Sequence, residues 1–208
     1  MSKSERLERK AARQQKERER IIDGALAVII KHGAAGLSIG KVAKRVDMLP
    51  SNLYYYFKSV DAIYDALTVR LLEEESAFVN PQLRKKTGLA VLMALIDVRI
   101  KYYMKHHDAF LILYQRQTPM APEVLEEHVY PASYEMMGLL EQALKALQAE
   151  GGANTELDAR KVSNLAFLLS NGILSTAIFM QRAGGNMKFN TTALANEAKK
   201  LFLAALTP

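Results

Sequence analysis

Residues 38–63 of the chain have the sequence SIGKVAKRVDMLPSNLYYYFKSVDAI. Ser38 suits the N-cap of a short helix over 39–46, whose apolar residues fall on one face. After a three-residue connection, Pro50 suits the first position of a second short helix, 50–57, because its missing N–H costs nothing there. Two short helices joined in this way predict a helix-turn-helix motif that binds DNA.

A longer helix precedes this pair. Gly33 supplies the C-terminal stop of a helix over 17–31. Its apolar residues recur at helical spacing: Ile22, Ala25, Leu26, Ile29 and Ile30. In such a three-helix module the last helix lies in the major groove, with polar residues near its start and apolar residues behind it.

The predicted helix over 50–57 contains both kinds of residue. Ser51 and Asn52 are its polar tips, and Leu53, Tyr56 and Phe57 are its anchors. The Asn52 amide can bond bidentately to adenine, and the alternative is a local bond to the backbone. The Tyr54 hydroxyl either contacts a phosphate or belongs to the core.

Charge is unevenly distributed along the chain. Residues 1–60 contain 13 Lys and Arg against 6 Asp and Glu, whereas residues 61–208 contain 15 against 16. The net charge of +6 therefore resides at the N-terminal end. This asymmetry favours a polyanion-binding N-terminal module, with a solvated charged tail as the alternative.

The basic N-terminal arm, residues 1–16, carries much of this charge. Residues 1–20 hold eight cations and four glutamates. The arm is either disordered or an extension of the first helix. It either contacts phosphates or a minor groove, or remains solvated.

Composition excludes several classes of protein. The chain has no cysteine, which excludes disulfides, iron–sulfur clusters, cysteine-ligated zinc and thiol nucleophiles. The first residues are polar, unlike a secretory signal, and the apolar stretch 165–180 is interrupted by polar residues. We therefore expect a cytoplasmic protein without a membrane partner.

Catalytic motifs are missing from the sequence. It contains no phosphate-cradling glycine loop, no Gly-x-Ser-x-Gly elbow and no useful carboxylate pair. His107, Asp108 and Glu127-His128 would form a metal site only if the tertiary structure joined them. We predict that the protein is not an enzyme and has no cofactor and no metal, with an all-helical metalloenzyme as an alternative.

Residues 38–43, Met48 and the run 53–63 resemble the signature of the tetracycline-repressor (TetR) family of bacterial transcriptional regulators. The most specific part is the aromatic run that ends two residues before Ser59. The chain departs from the family pattern at 47–49, where Asp-Met-Leu replaces small residues that commonly begin with Gly. It departs again at Val60, which replaces a frequent basic residue, and Lys58 lies close enough to substitute for it.

The resemblance implies DNA-binding roles for eight residues. Ser38 would cap the second helix and touch phosphate, and Pro50 would begin the recognition helix. Lys44, Tyr54 and Lys58 would position the module on the DNA backbone. Ser51, Asn52 and Tyr55 would face base edges.

The resemblance also implies a helical body that binds a ligand and dimerises. We accordingly divide the chain into an arm (1–16), a helix-turn-helix domain (17–62) and a body (63–208). A fourth helix from 61 is expected to end at Asn80-Pro81, and a long helix over 122–150 to break at Pro131. The other helices predicted in the body cover 88–105, 109–117, 158–182 and 190–206.

The helix over 158–182 is apolar nearly all round and must therefore be covered on every side. Small residues on it would allow close contact across a twofold axis: Ser163, Ala166, Ser170 and Ala177. The resemblance implies that the last two helices form the homodimer interface. Two recognition helices would then bind two half-sites of a palindromic operator.

Ten residues are candidates for a ligand pocket: Met93, Ile96, Arg99, Tyr103, Phe110, Tyr114, Met136, Met137, Leu140 and Phe167. The apolar ones are equally compatible with an ordinary core. Arg99 shares a helix face with Ile96 and Tyr103, so it either extends its charge to water or pairs near a cavity mouth. In the second case it could hold an anionic ligand.

The sequence thus predicts an all-α protein with an N-terminal helix-turn-helix module and a C-terminal helical body. The predicted function is that of a transcriptional regulator that binds operator sites in double-stranded DNA as a homodimer. It would be a repressor, released by a small, partly apolar effector. The alternative is an architectural or adaptor protein on the same scaffold, without a small-molecule inducer.

Overall fold

The computed structural model describes residues 2–116, 118–183 and 190–207, and helices are the only regular elements among them. The all-α prediction is confirmed. The elements in chain order are α1 (Lys3–His32), a 3-10 turn (Ala34–Gly36), α2 (Ile39–Arg45), α3 (Pro50–Tyr56), α4 (Val60–Leu83), α5 (Leu89–Tyr103), α6 (His107–Tyr114), α7 (Pro122–Val124), a π-helical turn (Leu125–Val129), α8 (Tyr130–Ala149), α9 (Ala159–Ala183) and α10 (Thr191–Leu206).

The chain divides into two compact units. The first runs to Leu71 and includes Gln115–Leu125, and the second comprises Leu72–Tyr114 and the residues from Glu126 onward. Helix α4 therefore contributes its first half to one unit and its second half to the other.

In the first unit, α1, α2 and α3 pack around a small apolar core. Its fully buried side chains include Ile21, Val42 and Leu53. Helices α1 and α2 approach closely at Gly24, where an added Cβ would lie 2.4 Å from a methyl carbon of Val46. A larger residue at this position would push α2 away from α1.

Helix α1 begins fourteen residues before the predicted start at 17, so the structure selects the helical alternative for the arm. Ser2 and Glu5 form a capping box that begins the helix. At the other end the helix stops at His32, and Gly33 takes a positive φ of 72°, in agreement with the predicted stop.

The prediction that Asn80-Pro81 ends the fourth helix is wrong. Helix α4 continues through Pro81 to Leu83. A proline near the end removes one hydrogen bond without displacing a long following segment, and the Gln82 side chain donates to the Phe78 carbonyl at 2.7 Å in the same turn.

The predicted break at Pro131 takes the form of a π-helical turn over Leu125–Val129, directly before α8. The wider turn accommodates the missing donor and the bulk of the proline ring.

The second unit is built around α9, which packs against α5, α8 and α10. By length and composition alone α9 would suffice to cross a membrane, which is also true of core helices of this kind. The four small residues that we expected on a twofold axis are buried inside the unit: Ser163, Ala166, Ser170 and Ala177. At these positions the chain itself covers α9, which is one of the two possibilities for a helix that is apolar nearly all round.

Candidate DNA-binding and effector sites

The first turn of α3 presents polar side chains outward over an apolar anchor. Ser51 and Asn52 are exposed, whereas Leu53 is completely buried. Tyr54 and Tyr55 are also exposed, by 54% and 66%, so the structure does not place Tyr54 in the core. The surface of α3 thus offers hydroxyl and amide groups on a helix that its buried residues hold in place.

The connection between α2 and α3 depends on one strained residue. Asp47 has a φ of 49°, in the left-handed region that aspartate tolerates better than most residues. Leu49 precedes α3 and provides no side-chain cap, so Pro50 begins the helix, as predicted. Ser38 caps α2 by accepting from the Lys41 N–H at 3.3 Å.

Two arginines of α1 bind the ends of the short helices. Arg18 donates from Nη1 to the Tyr56 carbonyl at 2.6 Å, and its guanidinium lies 4.1 Å from the centre of the Phe57 ring. Arg20 donates to the Val46 carbonyl at 2.6 Å. Each cation therefore satisfies a carbonyl at a helix C-terminus. Sequence analysis counted both among the eight cations of residues 1–20 and did not predict this role.

The arm also reaches the recognition helix. The Gln14 amide donates to the Tyr55 hydroxyl at 2.6 Å, and the Tyr55 ring meets the Tyr56 ring edge-on at 5.1 Å. Tyr55 is thus oriented from two sides while its ring stays exposed. The remaining predicted DNA-binding residues, Lys44 and Lys58, are exposed.

Arg116 attaches the segment after α6 to the start of α4 within the first unit. Its Nη2 lies 2.7 Å from Asp65 Oδ1, and both side chains are at least nine-tenths buried. The guanidinium also stacks 4.4 Å from the centre of the Tyr64 ring. No sequence motif indicated this pair, because its members are 51 residues apart.

Five of the ten ligand candidates come together in the second unit. We call this set, with the polar residues that bind it, the Arg99 cluster: Glu75, Arg99, Tyr103, Phe110, Tyr114, Phe167, Ser170 and Asn171. The Arg99 guanidinium lies 4.4 Å from the centre of the Phe167 ring and 5.0 Å from that of Tyr114. Tyr103, Phe110 and Tyr114 have ring centres 5.2–5.9 Å apart.

Arg99 does not extend to water. Its side chain is fully buried, and Nε donates to Glu75 Oε1 at 2.9 Å. Nη1 donates to the Ser170 hydroxyl and, at 2.8 Å, to Asn171 Oδ1. Burial acts to lower the pKa of Arg99, but Tyr114 and Glu75 outweigh this effect and raise it above its ordinary value. The cluster therefore holds a charged arginine whose counter-ion is Glu75 of α4.

The other ligand candidates lie in apolar packing. Met136 and Leu140 belong to the core of the second unit, and Met93 and Met137 pack against that core. Ile96 belongs to a separate cluster with Ile173 of α9.

Burial raises the pKa of three tyrosines near Glu75. The pKa of Tyr102 is raised to about 12 by burial and then by Glu74 and Glu75, and those of Tyr103 and Tyr114 are raised by burial and then by Glu75. All three are therefore neutral at physiological pH.

A stability change at alkaline pH follows from these tyrosines. An unfolded tyrosine ionises near pH 10, so between about pH 10 and 12 the folded state binds more protons than the unfolded state. The free energy of unfolding should be constant below this range and should then fall with rising pH, by about 1.4 kcal/mol per pH unit for each such tyrosine. Urea denaturation between pH 8 and 11.5 measures this. A stability that stays level up to pH 11.5 would contradict it.

Helices α9 and α10 expose an apolar face. Leu165, Leu168 and Phe179 of α9 are more than half exposed, as is Leu201 of α10. Between the two helices lies a groove of about 500 Å³ lined almost entirely by aliphatic side chains. An exposed apolar surface of this kind is characteristic of a protein–protein interface.

The residues that we considered for a metal site are used otherwise. Asp108 forms an ion pair with Arg182, and His128 Nε2 lies 4.0 Å from Oε2 of the neighbouring Glu127. Within the part of the chain that the structure describes, no three acidic or histidine side chains are grouped so as to hold a metal ion.

Residues 21–75, from α1 into α4, match the family model described as bacterial regulatory proteins, tetR family. Over these residues the chain has the helix-turn-helix module of the TetR family. It is a DNA-binding transcriptional regulator. The matched residues include the exposed face of α3, Asp47 in the turn before it and Pro50 at its start.

Relatives of this TetR-family protein match over different lengths. An uncharacterised HTH-type transcriptional regulator in the dhlA 5' region of Xanthobacter autotrophicus is 42% identical over 55 residues, which are 26% of this chain and only 27% of that protein. The uncharacterised HTH-type regulator YvdT of Bacillus subtilis is 24% identical over 149 residues, 71% and 77% of the two chains. The regulator FadR of Bacillus subtilis, solved in complex with stearoyl-CoA, has a TM-score of 0.71 at 19% identity and shares the fold over 90% of this chain and 98% of its own.

The structure shows how the matched segment accommodates its departures from the TetR signature. Asp47 takes the left-handed conformation at the position where glycine is common. Pro50 replaces a side-chain cap. Both substitutions preserve the turn that sets the angle between α2 and α3.

Proposed function

We propose that this TetR-family regulator is a repressor that binds a palindromic operator as a homodimer and is released by a small, partly apolar effector. The observation that carries the proposal is the exposed polar turn of α3 over the buried Leu53, in the segment that matches the family. The division into an arm (1–16), a DNA-binding domain (17–62) and a body (63–208) is part of this proposal, as is a cytoplasmic location without enzymatic activity.

The DNA-binding surface consists of the exposed residues around α3. Ser51, Asn52 and Tyr55 contact base edges, with Asn52 as the principal specificity residue through its amide. Backbone contacts come from Ser38, Lys44, Pro50, Tyr54 and Lys58. Lys58 compensates for Val60, where the family often has a cation.

The homodimer forms through the exposed apolar face of α9 and α10. One recognition helix covers only a few base pairs, so a dimer supplies the affinity that a monomer lacks. The exposed leucines and Phe179, rather than the buried small residues, form this interface.

The effector binds at the Arg99 cluster. Its aromatic rings suit an apolar ligand, and its polar atoms suit an orienting group. The FadR structure, a complex with stearoyl-CoA, is consistent with a partly apolar effector in this fold. Because Glu75 is a residue of α4, a ligand at the cluster acts on the helix that also begins in the DNA-binding unit. In this mechanism the protein has two states that differ in the position of α4, and only one of them binds the operator tightly. A ligand that binds the other state more tightly lowers operator affinity, and the size of the effect is set by the ligand's difference in affinity for the two states.

Selection of bound sequences from a random DNA duplex pool tests this function. We expect one palindromic site, bound by two protomers, with an affinity 10³-fold or more above that for random DNA. The winning site is then measured over a range of salt concentrations. Weak binding without sequence preference would instead favour the architectural or adaptor alternative.

Two variants separate base recognition from backbone contacts. Asn52→Ala should reduce affinity for the selected operator by about 1–3 kcal/mol and relax the preference at one base position. Lys44→Ala should weaken binding to all sequences alike and reduce the salt slope by about 1. Binding titrations on the operator and on a scrambled duplex measure both. Equal effects of the two variants on every duplex would refute the role of Asn52.

A further inference from the structure

The Arg99 cluster contains an unused hydrogen-bond donor. Arginine has five N–H groups, and Arg99 uses Nε and Nη1 for Glu75, Ser170 and Asn171. Its Nη2 has no hydrogen-bond partner, although the side chain is fully buried. A buried donor without an acceptor is costly, so this position calls for an oxygen acceptor that none of the described residues supplies.

The charge at this position is already balanced. Glu75, with 1% of its side chain exposed, lies 2.9 Å from Arg99 and also accepts from the Tyr114 hydroxyl at 2.5 Å. A second anion here would leave one buried negative charge without a counter-ion, which is strongly unfavourable. The missing acceptor is therefore an uncharged one. This conclusion differs from the anionic ligand that the sequence suggested for Arg99, because the sequence did not reveal Glu75 as its partner.

A second donor lies in the same cluster. The Tyr103 hydroxyl is buried beside Glu75 and Tyr114, and no described residue accepts from it with ordinary hydrogen-bond geometry. Burial and the nearby Glu75 raise the pKa of Tyr103, so the hydroxyl keeps its proton and can donate. Four aromatic rings surround the two donors with apolar surface: Tyr103, Phe110, Tyr114 and Phe167. Two of them, Tyr114 and Phe167, are only half-buried.

We propose that the effector of this regulator is an uncharged, largely apolar molecule whose carbonyl oxygen accepts hydrogen bonds from Arg99 Nη2 and the Tyr103 hydroxyl. Ketones, esters and amides belong to this class, and free carboxylates do not. The inference rests on the proposed ligand-regulated function. It adds the chemical class of the effector and the two atoms that recognise it.

Three probes of one size test the class. Acetophenone carries the carbonyl, ethylbenzene lacks it, and benzoate replaces it with an anion. Each is titrated into the full-length protein without DNA, by calorimetry or ligand-observed NMR. We expect acetophenone to bind most tightly, ethylbenzene several-fold more weakly, and benzoate at least about tenfold more weakly.

The variant Tyr103→Phe removes only the hydroxyl. The dissociation constant for acetophenone should rise about five- to tenfold, while that for ethylbenzene should stay the same. Tyr102→Phe, which removes the hydroxyl of the neighbouring buried tyrosine on the same helix, serves as the control and should leave the affinity for acetophenone unchanged. Circular dichroism verifies that both variants are folded.

Three results would overturn the inference. These are benzoate binding as tightly as acetophenone, no binding of acetophenone up to millimolar concentration, and an unchanged affinity for acetophenone in Tyr103→Phe. The last would indicate that ordered water or another group satisfies these donors. Because the probes are measured without DNA, each result leaves operator selection intact as a separate test of the proposed function.

Discussion

Replacing Arg99 by methionine is expected to lower the free energy of unfolding by about 3–5 kcal/mol. The substitution preserves much of the apolar volume but leaves the Glu75 carboxylate buried without its counter-ion. Ser170 and Asn171 would also lose the donor that they share. Urea denaturation at a fixed protein concentration measures the change, since the stability of a dimer depends on that concentration.

Two further variants show whether the effect arises from the buried charge. In the double variant Glu75→Gln, Arg99→Met the unpaired charge is gone, so a large part of the lost stability should return. Arg84→Met breaks the exposed pair with Glu135 and should change stability by less than about 1 kcal/mol. If Arg99→Met were no more costly than Arg84→Met, the Arg99–Glu75 pair would not be the buried ion pair described above.

Replacing Leu168 by glutamate should dissociate the proposed homodimer and abolish tight operator binding. Leu168 is 61% exposed on α9, in the face that we assign to the interface. In a twofold dimer the substitution buries two carboxylates, at a cost of at least about 2 kcal/mol for each protomer. The dimer dissociation constant should rise about 10³-fold or more. Sedimentation equilibrium measures it, and operator titration measures the loss of binding that follows.

Tyr134→Glu is the matched control for this interface. Tyr134 is 61% exposed but belongs to α8, outside the α9–α10 face. The variant should remain a dimer and keep its operator affinity. A Leu168→Glu protein that is still dimeric at the concentrations of the operator titration would show that the protomers associate through another surface.

The DNA-binding helices were predictable because their signals are local. Ser38 caps α2 through the N–H three residues on, and Pro50 begins α3 without any distant contact. The periodicity of apolar residues in α1 reflects the same short range, since neighbours three and four residues apart share a face. Even here the arm escaped prediction. Its polar residues carry no periodicity, and it is attached to α3 by a contact of Gln14 with Tyr55, 41 positions away.

The candidate effector site was predictable only in part. Arg99 and its aromatic neighbours were identified because a cation on an apolar helix face is unusual. Its partners were not, since Glu75 is 24 residues away and Ser170 is 71 residues away. The sequence alone therefore left open whether the effector is charged, and the uncharged class that we propose follows from the buried counter-ion.

By itself the sequence determined the helical class, the short helices around residues 38–57 and the resemblance of that segment to the TetR family, because each depends on residues a few positions apart. The tertiary structure decided which face of α9 is buried, that α4 continues through Pro81, and which residue balances the charge of Arg99. Those features depend on which helices pack against one another. A helix that is apolar on all sides, or a single arginine, is compatible with several neighbours until packing brings one of them into contact.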